Sequence, residues 1–256
     1  MGRRQPIEEP VDSTGWILDY QLSQMVLLQT VHLKFMFMLG YTYLHGCKLW
    51  PKLGGSSTSM SYKFVSMILQ CTGGGILVPV FLNGVPVPLA QDAYPMAIIV
   101  SFLLHQYFPI LREVLTLSPI LKTAVVVMYE TLRASVVVKL TAASAKAIPP
   151  SEFDIAVFGP IFCGTIAGCG GAFLPLHKGL DPIKTAGLGQ PMISALIGAS
   201  FYHLMVHTSL GEEIPKADKK AHVLVALFFI LYHLYTIMDD LLPSKEEDTR
   251  ETKKTK

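Results

Sequence analysis

The sequence predicts an all-α integral membrane protein with seven transmembrane helices, arranged as an inverted three-plus-three repeat followed by a seventh helix. Hydrophobic residues make up 51% of the 256 residues and charged residues only 16%, whereas soluble domains contain about 25% charged residues. Seven stretches are apolar over roughly the 20 residues that a spanning helix needs. Two glycine clusters, one in each half of the chain, lie inside such stretches.

The seven stretches divide nearly the whole chain into helices and short connections. The first and fourth carry internal charges, so an interfacial helix is the alternative for each of them. The predicted spans are Met25–Leu44, Val65–Leu82, Tyr94–Leu111, Leu121–Leu140, Ile155–Leu176, Leu188–Val206 and Ala221–Ile237. The expected organisation is a polar N-terminal segment 1–19, three-helix repeats 20–111 and 119–208, a seventh helix 219–242, and a charged cytosolic tail 243–256.

Each glycine cluster comes four or five residues before a proline within its span. Glycine weakens a helix and lets another backbone approach, and proline removes a hydrogen-bond donor. In a bilayer, a broken helix is tolerated only where it is buried in protein or lines a watery cavity. We therefore expect spans 2 and 5 to be broken helices that form the functional centre. The predicted kink and pore residues are Gly73, Gly74, Gly75, Pro79, Gly168, Gly170, Gly171 and Pro175.

A constant offset of 96 residues relates the two halves. It aligns Gly74 and Gly75 with Gly170 and Gly171, and Pro79 with Pro175. Each unit would contain three spans with nothing between the units, so the second unit would enter the membrane from the opposite side. This arrangement is the inverted repeat found in several transport folds. A chance alignment of two apolar stretches is the alternative.

Charged residues inside predicted spans indicate function, because an ionisable group at mid-bilayer is costly. Lys34 and Glu130 are also 96 residues apart, so they could pair across the centre or each face a water-filled path. Alternatively, Lys34 reaches an interface by snorkelling. Arg133, three residues after Glu130, could bridge to Glu130 or bind an anionic lipid headgroup. Lys139 is a second candidate for lipid binding.

The sequence gives little indication of metal binding, catalysis or nucleic-acid binding. His203 and His207 are four residues apart, a spacing that could ligate a metal. No glutamate or cysteine completes a set, so helix packing is the simpler interpretation and no metal site is predicted. We find no nucleophile elbow, phosphate loop or metalloprotease motif and predict no enzyme. A net charge of +2 gives no indication of nucleic-acid binding.

The distribution of lysine and arginine favours a cytosolic C-terminus. The chain ends Lys253-Lys254-Thr255-Lys256. Lysines third and fourth from a cytosolic C-terminus fit the dilysine signal that returns membrane proteins to the endoplasmic reticulum. The alternative is a charged tail that only improves solubility. We expect an intracellular membrane, most simply that of the endoplasmic reticulum.

The glycine and charge motifs together resemble the trimeric intracellular cation (TRIC) channel family. Gly73–Leu77 is followed by Leu82–Pro86 and Asp92, an order similar to that of bacterial members, and the second cluster repeats the glycine motif. Glu130 and Arg133 match the Glu and Arg of a Lys-Glu-Val-x-Arg motif in the fourth span of animal members. The resemblance covers about Val31 to Asp240.

The resemblance implies a homotrimer in which each subunit has its own hourglass pore, lined by kinked spans 2 and 5. Such channels conduct monovalent cations, chiefly potassium, and supply counter-current while calcium leaves the endoplasmic or sarcoplasmic reticulum. Some members bind a phosphoinositide near the pore through basic residues, so a phosphoinositide or another anionic lipid is the implied cofactor.

This chain departs from the family pattern in three places, as a divergent member would. Tyr129 stands where the animal motif has a lysine, and Ala167 where a second lysine precedes the glycines of the fifth span. Val78-Pro79 replaces an Arg-Asp pair common in bacterial members. Two other functions remain open. A secondary transporter with Glu130 as its coupling carboxylate is compatible with the same repeat and broken helices, and the missing lysines leave open a non-conducting structural membrane homologue.

Overall fold

The computed structural model describes residues 12–53, 58–150, 152, 154–174, 180–184 and 187–241. Within these residues every regular element is helical. Short 3₁₀ segments occur at Trp50–Lys52, Gly170–Phe173 and Ser209–Gly211. The α-helices are α1 (Trp16–Asp19), α2 (Gln21–Val26), α3 (Val31–Leu49), α4 (Met60–Phe81), α5 (Val87–Ala90), α6 (Ala93–Tyr107), α7 (Ile110–Leu117), α8 (Pro119–Ala147), α9 (Phe158–Cys169), α10 (Asp181–Lys184), α11 (Gln190–His207) and α12 (Ala217–Leu241).

Hydroxyl side chains set where three of the long helices begin. Thr30, Ser59 and Ser118 each accept a hydrogen bond from the backbone N–H three residues later, at 3.4, 3.3 and 3.4 Å. This is the N-cap pattern that satisfies an otherwise unpaired donor of the first turn. Consequently α3, α4 and α8 start at these caps, some residues away from the ends of the apolar stretches.

The first and third predicted spans are divided in the structure. Leu28 has φ 51°, in the left-handed region, so the chain turns between α2 and α3 and does not form one helix from Met25. The third span bends by 94° between α6 and α7. The bend falls at Phe108, because a residue before proline is disfavoured in α-helical conformation.

Of the described helices, two meet a combined length and hydropathy requirement for crossing a membrane, Met60–Phe81 and Ala217–Met238. The bent pair α6 and α7 would be a third if taken as one broken span. Helices α3, α8 and α11 contain at least 18 residues each, but they carry polar side chains that the structure buries. The seven-span count and the inverted repeat remain predictions.

Helix α8 lies at the centre of the packing and contacts α3, α9, α11 and α12. Its residues Tyr129 and Leu132 belong to one apolar core, formed mainly with α3, α4 and α6. Its residues Ala134 and Val137 belong to a second core with α11 and α12. Because both sides of α8 are buried, α8 is a core helix of this fold. That it crosses the membrane stays a prediction.

Residues 12–14 are held against the start of α12 by a group of three side chains, here named the N-terminal clasp. Lys220, only 3% exposed, donates to both carboxylate oxygens of Asp12 at 2.7 Å and to the hydroxyl of Thr14 at 2.8 Å. The hydrogen bond from Lys220 lowers the pKa of Asp12 below its ordinary value. The carboxylate is therefore ionised, and the clasp complete, throughout the neutral range.

Candidate functional site

The first glycine cluster lies within an unbroken helix. We predicted a break in span 2, but α4 runs continuously from Met60 to Phe81 through Gly73, Gly74 and Gly75. Pro79 is also inside α4, within its last turn. Pro79 removes the donor that would pair with the Gly75 carbonyl. Because only two residues of α4 follow it, this loss does not divide the helix.

The second glycine cluster does interrupt its helix. Helix α9 ends at Cys169, a 3₁₀ segment covers Gly170–Phe173, and Leu174 is extended. This change of helix type agrees with the prediction for span 5. Pro175, predicted to take part in the kink, lies outside the described residues.

The two glycine clusters touch each other through their backbones. A Cβ atom built on Gly170 would lie 2.6 Å from the Gly74 nitrogen, and one built on Gly74 would lie 2.5 Å from the Ile166 carbonyl oxygen. Gly73 and Gly171 are in equivalent close contact. Real Cβ atoms do not approach backbone this closely, so only glycine fits at this crossing. We name these four residues the glycine contact.

The remaining two glycines of the clusters face other neighbours. A Cβ on Gly75 would meet the side chain of Val87 at 3.2 Å. A Cβ on Gly168 would lie 2.6 Å from Ala195 Cβ and 2.8 Å from Val137 Cγ2. Gly168 therefore lets α9 approach α11 and α8, whereas Gly75 is spaced for ordinary contact after a small adjustment.

A cavity of about 110 Å³ adjoins the glycine contact, large enough for several water molecules. All six glycines of the two clusters line it, whereas Pro79 does not. The rest of the wall combines apolar residues, among them Val87, Val136 and Pro191, with polar side chains from α3, α4, α6 and α8. The polar side chains are Tyr41, His45, Lys48, Gln70, Thr72, Tyr94 and Tyr129.

Three of these side chains come from one face of α3. Tyr41, His45 and Lys48 are spaced four and three residues apart, which places them above one another on a helix. The Tyr41 hydroxyl donates to the Cys71 carbonyl at 3.1 Å, two residues before the first glycine of the glycine contact. Sequence reasoning missed these three residues. Their spacing was the available signal, but a polar stripe inside an apolar span does not reveal what it faces.

Tyr129 brings this face of α3 against α8. Its ring stacks on that of Tyr41, with centroids 5.1 Å apart, and Lys48 Nζ lies 4.7 Å from the Tyr129 ring centroid. A cation over a tyrosine face is attracted by the ring quadrupole. Tyr129 occupies the sequence position at which the family resemblance places a lysine. In this chain, a positive charge reaches the same neighbourhood from α3.

Behind Tyr129 lies a buried charge cluster of Glu130, Arg133 and His233. Arg133 Nη1 is 3.1 Å from each carboxylate oxygen of Glu130, and His233 Nδ1 is 2.5 Å from Oε1. Arg133 also donates to the Ser194 hydroxyl and lies 4.3 Å from the Phe229 ring centroid. Glu130 is 0% and Arg133 1% exposed. The cluster joins α8, α11 and α12.

The predicted pairing of Lys34 with Glu130 is wrong. Lys34 Nζ instead donates to Gln91 Oε1 at 3.0 Å. Because the cap at Thr30 starts α3 at Val31, Lys34 lies in the first turn of its helix, while Glu130 lies deep within α8. The offset of 96 residues therefore does not place them at one depth. Neither residue lines the cavity beside the glycine contact.

The other predicted site residues are also distributed differently. Arg133 is too buried to reach a lipid headgroup, whereas Lys139 is exposed and lines a separate cavity.

The rings of His203 and His207 are neighbours, with centroids 5.3 Å apart. The part of the chain that the structure describes contains no group of three or more His, Cys, Asp or Glu side chains placed to hold a metal. Lys253 and Lys254 lie outside the described residues.

Comparison with solved structures identifies the fold. The trimeric intracellular cation channel from C. elegans in the absence of Ca²⁺ superposes with a TM-score of 0.64 at 17% sequence identity, over 90% of this chain and 95% of that one. The chain has the TRIC channel fold. The resemblance predicted from the glycine motifs and from Glu130 and Arg133 is thereby confirmed at the level of the fold.

Two further solved structures support the same conclusion. The C. elegans TRIC channel with bound Ca²⁺ gives a TM-score of 0.62 at 18% identity, over 85% of this chain and 99% of that one. A structure described as the basis for activity of TRIC counter-ion channels in calcium release gives 0.63 at 17% identity, over 85% and 98%. No family model and no curated protein matches the sequence.

Proposed function

We propose that this protein is a divergent TRIC family member that conducts cations across an intracellular membrane, along a path beside the glycine contact. The observation that carries the proposal is the cavity between α4 and α9, lined by both glycine clusters. In a membrane fold, irregular backbone at depth is tolerated where it lines a watery space. The change from α-helix to 3₁₀ helix at Gly170 meets that condition.

The same proposal includes the oligomeric state, the ion selectivity and the physiological role of the channel. The protein is a homotrimer with one path in each subunit, it prefers potassium, and it supplies counter-ion flux when calcium is released from the endoplasmic reticulum. The support is the TRIC fold, since solved structures with that fold carry the descriptions trimeric, cation channel and counter-ion channel in calcium release.

The cavity wall favours monovalent over divalent cations. None of its described lining residues is acidic, and Lys48 is the only lysine or arginine among them. Divalent cations in proteins bind to several oxygen ligands that usually include carboxylates. Backbone carbonyls and tyrosine or threonine hydroxyls supply weaker partial charges, which suit ions that must enter and leave quickly.

The conformation described is closed at the glycine contact. Backbone atoms of Gly73 and Gly74 meet those of Gly170 and Gly171 without a gap, so conduction requires α4 and α9 to separate locally. The ammonium of Lys48 adds an electrostatic barrier for cations at the cavity wall. Opening therefore combines a backbone movement with a displacement of Lys48.

The secondary transporter with Glu130 as coupling group is less well supported. A coupling carboxylate must exchange protons or ions with a pathway. Glu130 is fully buried, is paired with Arg133 and His233, and does not line the cavity. A structural role in joining three helices accounts for these contacts.

Recording from purified protein in planar bilayers tests the proposed function. We expect single-channel steps whose current rises linearly with voltage and whose reversal potentials favour potassium over sodium and calcium. Flux that saturates with substrate and requires a pH gradient would instead establish a carrier. The absence of both currents and flux from folded trimers would establish the non-conducting homologue.

Replacing Lys48 with glutamine is expected to raise unitary potassium conductance roughly two- to ten-fold, corresponding to about 0.4–1.4 kcal/mol less repulsion of a cation in the cavity. Lys48→Arg keeps the charge and should conduct like the wild type. Lys52→Gln is the matched control, because Lys52 is exposed and outside the cavity wall. If Lys48→Gln and Lys52→Gln change conductance equally, Lys48 does not face the ion path.

A further inference from the structure

A second cavity lies at the other end of α8, where this helix meets α11 and the start of α12. Its volume is about 400 Å³, within the usual range of small-molecule sites. We name it the basic cavity. It shares no lining residue with the cavity beside the glycine contact. Its charged and polar lining residues are Lys139, Lys146, Tyr202, Asp218, Lys219 and His222.

Helix geometry explains why these side chains converge. Lys139 and Lys146 are seven residues apart on α8, two turns along one face and about 10 Å in height. Lys219 and His222 are three residues apart in the first turns of α12, and so also share a face. Two antiparallel helices thus each direct two nitrogen-bearing side chains to one space.

His222 contributes a buried polar atom without a partner to the wall of the basic cavity. It is only 8% exposed, and among the residues the structure describes its Nε2 atom has no hydrogen-bond partner. Buried polar atoms in proteins are nearly always paired. A ligand oxygen in the basic cavity would supply the partner that the protein does not.

The charged side chains that line the basic cavity favour an anion over a cation. Three lysines face one carboxylate, that of Asp218. The cavity also lies beside the N-terminus of α12, whose aligned peptide dipoles favour negative charge. Lys220 is the next residue but belongs to the N-terminal clasp, where Asp12 neutralises it. The lysines of the basic cavity therefore remain available to a bound group.

We propose that the basic cavity binds a phosphate-bearing anion, either the headgroup of an anionic phospholipid or a free phosphate compound. The proposal is independent of ion conduction. Lysines act on phosphate as mobile point charges, and long side chains at different heights on α8 can surround a tetrahedral group. The anionic-lipid function that the sequence suggested for Lys139 is retained, with Lys146, Lys219 and His222 as its partners in place of Arg133.

Binding of fluorescent phosphatidic acid to the purified full-length protein in mixed micelles tests this proposal, with fluorescent phosphatidylcholine as the neutral reference. The wild type should retain phosphatidic acid in preference to phosphatidylcholine. Lys146→Gln combined with Lys219→Gln should weaken the retention of phosphatidic acid by about 25-fold, or roughly five-fold per lysine. Lys146→Arg with Lys219→Arg should restore it.

Lys52→Gln combined with Lys184→Gln is the matched control, because both lysines are exposed and lie outside the basic cavity. This pair lowers the net charge equally and should bind phosphatidic acid like the wild type. Competition with inorganic phosphate and glycerol 3-phosphate identifies the source of the ligand. Displacement at comparable concentration indicates a free phosphate compound, and resistance indicates a lipid headgroup. Equal loss in both double variants, or no loss in either, overturns the proposal.

Discussion

Glu130→Gln is expected to lower the free energy of unfolding by about 3–5 kcal/mol, because it leaves the Arg133 guanidinium buried without its counter-charge. Arg133 is 1% exposed and has Glu130 as its carboxylate partner at 3.1 Å. The Ser194 hydroxyl and the Phe229 ring remain, but neither carries a negative charge. Thermal unfolding of the purified protein in detergent measures the effect.

The double variant Glu130→Gln with Arg133→Met separates a charge effect from a packing effect. Removing both charges of a buried pair is often nearly neutral, so the double variant should be more stable than Glu130→Gln alone. Glu113→Gln on the exposed surface of α7 is the control and should change stability by less than about 0.5 kcal/mol. A Glu130→Gln protein as stable as the Glu113→Gln protein would show that the ion pair contributes nothing.

Gly74→Ala is expected to destabilise the fold by about 1–3 kcal/mol or more, because the new methyl group meets backbone atoms. It should also raise the open probability of the channel, since it forces apart the contact that must separate for conduction. A Cβ at Gly74 would lie 2.5 Å from the Ile166 carbonyl oxygen, and a carbonyl in a helix cannot move aside as a side-chain end can. Helices α4 and α9 would have to separate. Thermal unfolding and bilayer recording of the same preparation measure the two effects.

Gly75→Ala is the matched control for this substitution. Gly75 is the adjacent residue of α4, and its Cβ would meet a valine side chain at 3.2 Å. Alanine also improves helix propensity by about 0.8–1.0 kcal/mol, so Gly75→Ala should be near neutral. Equal destabilisation by both substitutions would mean that general helix packing, not the glycine contact, limits this region.

Local sequence patterns predicted the helical fold and singled out both glycine clusters, which the structure brings into contact. Hydropathy located most of the long helices, and clustered glycine in an apolar stretch has few explanations other than close backbone approach. Hydropathy did not locate the helix ends, which depend on capping residues such as Thr30 and on the bend before Pro109. The error over Lys34 follows from this, since its depth was inferred from the extent of the apolar stretch.

Contacts between residues that are far apart in the sequence could not be predicted from local sequence patterns. His233 meets Glu130 across 103 positions in the chain, and no spacing rule connects histidine on one helix with a carboxylate on another. The predicted first span ends at Leu44, which leaves Lys48 in the connection to the second span. With α3 extending to Leu49, Lys48 instead completes the polar stripe that Tyr41 and His45 begin.

The N-terminal clasp has a consequence for biosynthesis. Asp12 and Lys220 are 208 positions apart, so the first of these residues emerges from the ribosome long before its partner is made. Bringing together two residues so far apart has a substantial entropic cost. The salt bridge that helps to offset this cost can form only after Lys220 has been synthesised. A nascent chain truncated before α12 therefore leaves Asp12 without its lysine partner, and formation of the clasp reports that synthesis has reached the start of α12.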